Sequence, residues 1–185
     1  LFRSPLRVRV VKSGAEAVGA ELFEWARNDL GVAINEVFGQ TECMEPLGNN
    51  GRVMPAKPGS IGRPLPGHTV AIVDDAGTEL PDGTVGHIAV RMPHPVAFLG
   101  YLNRPDATRE KYVGDWLLTG DTGLRDADGY FWFRGRADDV ITSAGYRIGP
   151  TEIEDALARH PAVHNVAVIG VPDKRSEEHT SELQS

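Results

Sequence analysis

The period of apolar and polar positions changes several times along the chain, and each change predicts a new element. Leu6-Arg7-Val8-Arg9-Val10-Val11 alternates like a strand, and Gly14-Ala15-Glu16 turns the chain. From Ala17 to Asn28, Val18, Leu22, Trp25 and Ala26 recur at helical spacing, with Leu30 and Gly31 closing the helix. Val32-Ala33-Ile34-Asn35-Glu36-Val37-Phe38 reads as a buried strand that delivers Gly39 to Glu42 into a loop at its carboxyl end, where open α/β sheets place ligands. Residues 43–67 are rich in Gly, Pro and Asn and predict a loop with little regular structure.

Beyond residue 67 the pattern is that of a β structure. Thr69 to Val73 and Thr84 to Arg91 predict strands joined across the turn cluster Asp74-Asp75-Ala76-Gly77. Trp116 to Leu118 and Tyr130 to Arg134 predict two more, with Asp126-Ala127-Asp128-Gly129 between them. That turn has the Asp-x-Asp-Gly of a calcium loop but lacks the downstream Glu of an EF-hand. Pro105 is placed to start a short helix within residues 104–112. Thr142 to Tyr146 reads as loop. Pro150, with Thr151-x-x-Glu154 as a capping box, then predicts a helix through His160 that turns Ile153, Ala156 and Leu157 inward and ends at Pro161. A strand from Val163 to Val171 follows, so a small α+β unit begins here.

With 41% apolar and 24% charged residues among 185, the chain has enough apolar side chains for a core of about one domain. A net charge of −7 argues against nucleic acid as partner, since the phosphate backbone demands a basic face. The single cysteine, Cys43, forms no intrachain disulfide, and no cysteine-based zinc site is expected; it reads as a packing residue. Neither a membrane-length apolar run nor a signal peptide is present, so a reducing, cytoplasmic location is expected.

The candidate chemistry is concentrated between Trp132 and Glu154, where Arg134, Arg136, Asp138, Asp139, Gly145 and Arg147 surround a turn. Guanidinium forks beside carboxylates and glycines suit phosphate or ribose recognition, and they equally suit a charged surface hairpin. The stretch resembles the hinge motif of the acyl-adenylate-forming superfamily: acyl-CoA synthetases, firefly-type luciferases and peptide-synthetase adenylation domains. Phe38-Gly39-Gln40-Thr41-Glu42 resembles that family's aromatic-Gly-x-Thr-Glu signature, and Leu118-Thr119-Gly120-Asp121 its Thr-Gly-Asp signature. The three motifs stand in family order and cover most of the chain.

The resemblance implies an α/β plus β fold. Residues 1–137 would be the C-terminal part of the large AMP-binding domain, with an α/β strand-loop portion and a distorted β-barrel subdomain. Residues 138–174 would begin a small α+β domain. Residues 175–185 resemble the in-frame translation of a short-read sequencing adapter and are expected to be an assembly remnant. The implied substrates are ATP, a carboxylic acid and coenzyme A, with Mg²⁺ assisting and acyl-AMP as intermediate. The roles implied for the motif residues are these: Thr41 meets the phosphate, Glu42 holds Mg²⁺, Asp121 takes the ribose hydroxyls, and Arg136 contacts ribose and phosphate. Gly14, Ala15 and Glu16 would lie beside the adenine, and Glu36, Val37, Phe38, Gly39 and Gln40 would also belong to the nucleotide-binding site. Asp138 would be the hinge, and Ala144, Gly145, Tyr146 and Arg147 would line the CoA tunnel. The family's Gly/Ser/Thr-rich phosphate loop and its small-domain lysine are not found in this sequence, so the polypeptide as it stands is expected not to form acyl-AMP at a useful rate.

Within the superfamily, Gly135-Arg136-Ala137-Asp138-Asp139 and Tyr146 to Glu154 look most like the short- to medium-chain acyl-CoA synthetases. Acetate-specific members carry a tryptophan where this chain has Gly39, so an acid longer than acetate is expected, and Gly39→Trp is expected to shift preference towards acetate. The runners-up are an aryl-CoA ligase, another adenylate-former, and a non-catalytic nucleotide-binding fragment.

Overall fold

A computed structural model describes residues 7–14, 18, 20–143, 146–160, 162–172 and 179–184. The opening alternation yields a strand only at its far end, β1 (Val11–Ser13). It runs parallel to β2 (Ile34–Gln40), with Val11 opposite Ile34. Parallel neighbours need a crossover, which α1 (Ala20–Asp29) supplies. Ala26, Val18 and Ile34 are buried together, with Phe23 and Val11 against them. The inward face therefore differs from the expected one: Leu22 and Trp25 are about half exposed, and Val18 precedes the helix. Leu30 and Gly31 do close it, the amides of Leu30 and Val32 both reaching the Ala26 carbonyl at 3.2 Å and Gly31 turning at φ +66°.

Residues 49–62 are the expected loop, but the ends of the 43–67 stretch carry strands. β3 (Cys43–Gly48) folds back antiparallel on β2, and β4 (Arg63–Pro64) pairs β3, giving a four-stranded sheet ordered β1-β2-β3-β4. Its glycines serve close backbone approach rather than flexibility. A Cβ on Gly62 would lie 2.1 Å from the Gly48 carbonyl carbon, and one on Gly48 would lie 3.0 Å from Val37 Cγ1.

The second sheet holds β5 (Val70–Val73), β6 (Gly86–Arg91), β7 (Tyr112–Val113), β8 (Trp116–Arg125) and β9 (Phe131–Arg136). Its order is β5-β6-β8-β7, with β9 also pairing β8. Both predicted turns are present. Asp74 Oδ1 accepts the amides of Ala76 and Thr78, and Asp126 Oδ1 those of Asp128 and Tyr130. At the second turn the Lys57 ammonium sits on Asp126 Oδ2 at 2.8 Å and Asp128 Oδ2 at 2.6 Å. The short helix α2 (Pro105–Arg109) starts at Pro105 as expected. One core joins the two sheets: Cys43, Leu47 and Ile61 pack with Val70, Ile72, Ile88, Val90, Leu117 and Phe131. The amide of Phe131 donates to the Gly62 carbonyl at 2.8 Å across that junction.

Beyond the turn at residues 137–140, β10 (Ile141–Ser143) and β11 (Tyr146–Ile148) form a hairpin where a loop is expected. The helix α3 (Pro150–Ala158) has Gly149 as its N-cap residue and no capping side chain, so Thr151 stands inside the helix rather than at its cap. Glu154 Oε1 instead accepts the Val168 amide at 2.9 Å, and Ala156 faces solvent rather than the interior. Pro161 lies outside the described residues. The expected strand starts late, as β12 (Ala167–Pro172), and the polar tail beyond residue 174 supplies β13 (His179–Gln184), antiparallel to β12. The described residues contain no helix long and apolar enough to cross a membrane.

Candidate active site

Burial explains why β8 is longer than expected: it absorbs the Thr-Gly-Asp motif as a bulge. Leu118 faces Ala89 and Thr122 faces His87, so Ile88 alone stands opposite Thr119, Gly120 and Asp121. Thr119, 1% exposed, donates its hydroxyl to the Ile88 carbonyl at 2.9 Å and accepts the Asp121 amide at 3.1 Å. Gly120 turns at φ +84°, and its carbonyl takes the Ala137 amide at 2.9 Å. A Cβ there would press on the Arg136 guanidinium at 3.0 Å. The bulge thereby sets Asp121 opposite Arg136 of β9.

Arg136 spans two carboxylates. Its Nη1 donates to Asp121 Oδ1 at 3.1 Å, its Nε to Asp138 Oδ1 at 3.0 Å, and its Nη2 to Asp138 Oδ2 at 3.4 Å. Asp138 stands in the turn after β9 with an exposed side chain, whereas that of Asp121 is buried. Burial raises the Asp121 carboxyl above its ordinary range, and the charges of Arg136 and Lys111 only partly oppose it. Asp138 is held low by the same guanidinium.

Thr41 and Glu42 form the tight turn between β2 and β3 rather than a loop at a parallel sheet edge. Thr41 is exposed and Glu42 half-buried. Partial burial pushes the Glu42 carboxyl up, but the Tyr101 hydroxyl, which donates to Oε1, the Glu42 amide, and the charges of Lys111 and Arg136 outweigh it and hold Glu42 below the usual range. Burial and this bond push Tyr101 up to about 12. The Glu42 carbonyl takes the Phe98 amide at 2.8 Å, and the Tyr101 amide donates to Thr108 Oγ1 at 2.9 Å, which anchors the segment carrying the phenol. Arg136 and Lys111 thus act electrostatically on both Glu42 and Asp121, and the Lys111 ammonium also approaches the Thr119 carbonyl at 3.5 Å.

The other predicted residues fall as follows. Gly14 abuts Val37, where a Cβ would lie 3.1 Å from Val37 Cγ2, whereas Ala15 and Glu16 lie outside the described residues. Glu36 is 3% exposed, accepts the Val18 amide at 3.3 Å, and has its carboxyl raised by burial. Phe38 packs on the core, and the Gln40 side-chain nitrogen is buried. Gly39 is not vacated pocket space: a Cβ would lie 2.4 Å from the Glu45 amide nitrogen, because the β2–β3 register shifts there. A tryptophan at Gly39 therefore has to displace the Glu45 backbone before its indole reaches any acyl pocket. Ala144 and Gly145 lie outside the described residues, and Tyr146 and Arg147 are backbone partners of Ser143 and Thr142. A cleft of about 510 Å³ opens beside Arg136 and Asp138, bounded by Pro150, Glu154 and Ile169.

Two site residues escape sequence reasoning. Tyr101 and Lys111 lie far from every motif and are ordinary residue types, and only the pairing of β7 with β8 and the fold of residues 98–108 bring them in.

The sequence matches the AMP-binding enzyme family over residues 2–102 and the AMP-binding enzyme C-terminal domain over residues 152–179. It is 45% identical over 168 residues to the human mitochondrial acyl-coenzyme A synthetase ACSM2B, covering 87% of this chain and 28% of that protein. Among solved structures, it resembles the anthranilate CoA ligase AuaEII in complex with anthranoyl-AMP, at 35% identity and TM-score 0.78 over 95% of this chain and 33% of that one. It also resembles O-succinylbenzoate coenzyme A synthetase from Bacillus subtilis in complex with ATP and magnesium ion, at 30% identity and TM-score 0.81 over 97% and 36%. The chain spans about a third or less of the length of each. The expected fold class agrees with these neighbours.

Proposed function

Since the chain belongs to the AMP-binding enzyme family, we propose that the protein carrying it is an AMP-forming acyl-CoA synthetase acting on a short- to medium-chain carboxylic acid. The observation that carries this reading is the shared electrostatic environment of Glu42, Asp121 and Arg136, brought together from three separate segments.

A carboxylate is a poor acyl donor because it has no leaving group. ATP supplies one: the acid's oxygen bonds to the α-phosphorus, the α–β bridging bond breaks, and its electron pair departs with pyrophosphate. The CoA sulfur then attacks the acyl carbon of the mixed anhydride, and the bond to AMP breaks. In this reading the exposed Thr41 hydroxyl donates to the phosphate and Arg136 neutralises developing negative charge, so both stabilise charge rather than move protons. Asp121, an acceptor-only carboxylate, takes the vicinal ribose hydroxyls. Glu42 fits a magnesium ion, because its carboxyl is held ionised and only one of its oxygens is engaged by Tyr101. Magnesium supplies charge neutralisation along the phosphates when bound.

Gly14, Ala15 and Glu16 lie beside the adenine, the strand from Glu36 to Gln40 also belongs to the nucleotide-binding site, and Ala144 to Arg147 line the path of CoA. A small domain beginning near Asp138 swings between the two half-reactions, for which the contacts of Arg136 with Asp138 must break. A cytoplasmic location belongs to the same reading. The test is pyrophosphate exchange and thioester formation by the full-length enzyme over acids from acetate to decanoate, with benzoate included. A maximum between butyrate and octanoate is expected; a maximum on acetate refutes the chain-length reading, and one on benzoate favours an aryl-CoA ligase.

A further inference from the structure

Three backbone segments converge on the one cysteine. Cys43 opens β3 directly after Glu42 and forms a bridge with Ala97, and the Ala97 amide returns to the His94 carbonyl at 3.1 Å. His68 follows Gly67, and its own amide is fixed on the Leu65 carbonyl at 3.0 Å. The Cys43 sulfur and one ring nitrogen from each of His68 and His94 all lie within 4.8 Å of one another. This cluster is unused by the adenylation reading, and the expectation that a single cysteine precludes a cysteine-containing metal site overlooks a mixed donor set.

We propose that Cys43, His68 and His94 form a binding site for a borderline-soft transition metal of the Zn²⁺ class. Thiolate with two imidazoles is the donor chemistry that selects such ions over Mg²⁺ or Ca²⁺, and three protein ligands leave a fourth position for water. One of the histidines carries a mark of a ligand site. His68 Nδ1 is buried and has no hydrogen-bond partner among the described residues, an orphaned polar atom that a metal ion would satisfy. His94 Nε2 lies 3.0 Å from the Gly67 carbonyl, the kind of outer contact that fixes an imidazole tautomer, and its Nδ1 takes the Val96 amide at 3.3 Å, a long contact that a metal ion has to replace. The two rings stack with centroids 4.3 Å apart and planes at 20°, so binding requires one ring to rotate until the lone pairs converge. Cys43 is fully buried, and its thiol proton leaves to buffer as the sulfur–metal bond forms.

Titration of the full-length polypeptide with Co²⁺, in the absence of ATP and acid, reads the site without reference to catalysis. The expected result is a thiolate-to-cobalt charge-transfer band that saturates with one equivalent, is displaced by Zn²⁺, and is absent in Cys43→Ser. In His94→Gln, on a half-buried ring that folding tolerates, the Co²⁺ Kd should rise at least ~10-fold, since loss of even an outer partner does this much. Circular dichroism confirms that both variants are folded. Absence of the band in the parent protein, or an unchanged band and Kd in folded His94→Gln, overturns the proposal.

Discussion

Replacing Arg136 by lysine keeps the charge but removes the fork, and so isolates what the geometry contributes. Three contacts depend on that fork: 3.1 Å to Asp121, and 3.0 and 3.4 Å to Asp138. They are not of equal weight. The Asp138 side chain is 71% exposed, so its contacts are screened and contribute ~0–1 kcal/mol, whereas Asp121 is 10% exposed and its charged hydrogen bond contributes ~1.5–3 kcal/mol. An ammonium cannot span both carboxylates, so Asp121 loses the fixed orientation that the proposed ribose contact requires. At about 1.4 kcal/mol per tenfold, Arg136→Lys should lower kcat/KM for ATP by about 10- to 100-fold in pyrophosphate exchange by the full-length enzyme. Arg109→Lys is the control, because both partners of its contact with Asp106 are largely exposed. A change of less than about twofold in Arg136→Lys, with the control equally silent, would refute the reasoning.

Tyr101→Phe removes the donor that helps hold Glu42 ionised, so the Glu42 carboxyl should rise and the acid limb of the kcat/KM profile should move to higher pH; an unmoved limb disconnects Tyr101 from the site. Lys57, the Tyr130 amide and the Trp132 indole outweigh the effect of partial burial and hold Asp126 at about 2, below its ordinary 3.8. A depressed carboxyl contributes stability that is present above its unfolded pKa and lost as pH falls through the folded one. Denaturation midpoints should therefore fall between about pH 4 and 2, and Asp126→Asn should flatten that slope. Gly39→Trp should destabilise the β2–β3 hairpin by ~3 kcal/mol or more, because even its Cβ meets backbone; a folded variant with an unchanged melting temperature contradicts this.

The parts of the fold that were legible in the sequence are those where local chemistry and tertiary packing agree. β5 and β6 follow from short apolar runs, and the turns at Asp74 and Asp126 follow from carboxylates that accept nearby amides. β3 and β4 were illegible because glycine and proline read as loop, while at Gly48 and Gly62 the missing side chain is what allows the strands to approach. The face of α1 was misassigned because Trp25 and Leu22 fit helical spacing yet stay exposed, and spacing does not say which stripe meets β2. Pro150 starts α3, but Glu154 turns to Val168 instead of capping, a contact set by the fold of β12. At the site, the sequence motifs singled out Thr41, Glu42, Asp121 and Arg136, but the tight turn that carries the first two and the bulge that carries Asp121 were not legible, because both depend on strand register. Tyr101, Lys111 and the Cys43–His68–His94 cluster were not, since each is assembled by long-range pairing alone.

Asp121 is the residue on which the account rests, and the ribose hydroxyls are its stated partners. The most direct measurement compares ATP with 2′-deoxyATP and 3′-deoxyATP in pyrophosphate exchange by the full-length enzyme and by Asp121→Ala. The parent enzyme should prefer ATP by about tenfold or more, one charged hydrogen bond's worth, and Asp121→Ala should treat the three nucleotides alike. A variant that is slower yet discriminates against the deoxynucleotides as strongly as the parent would contradict the account.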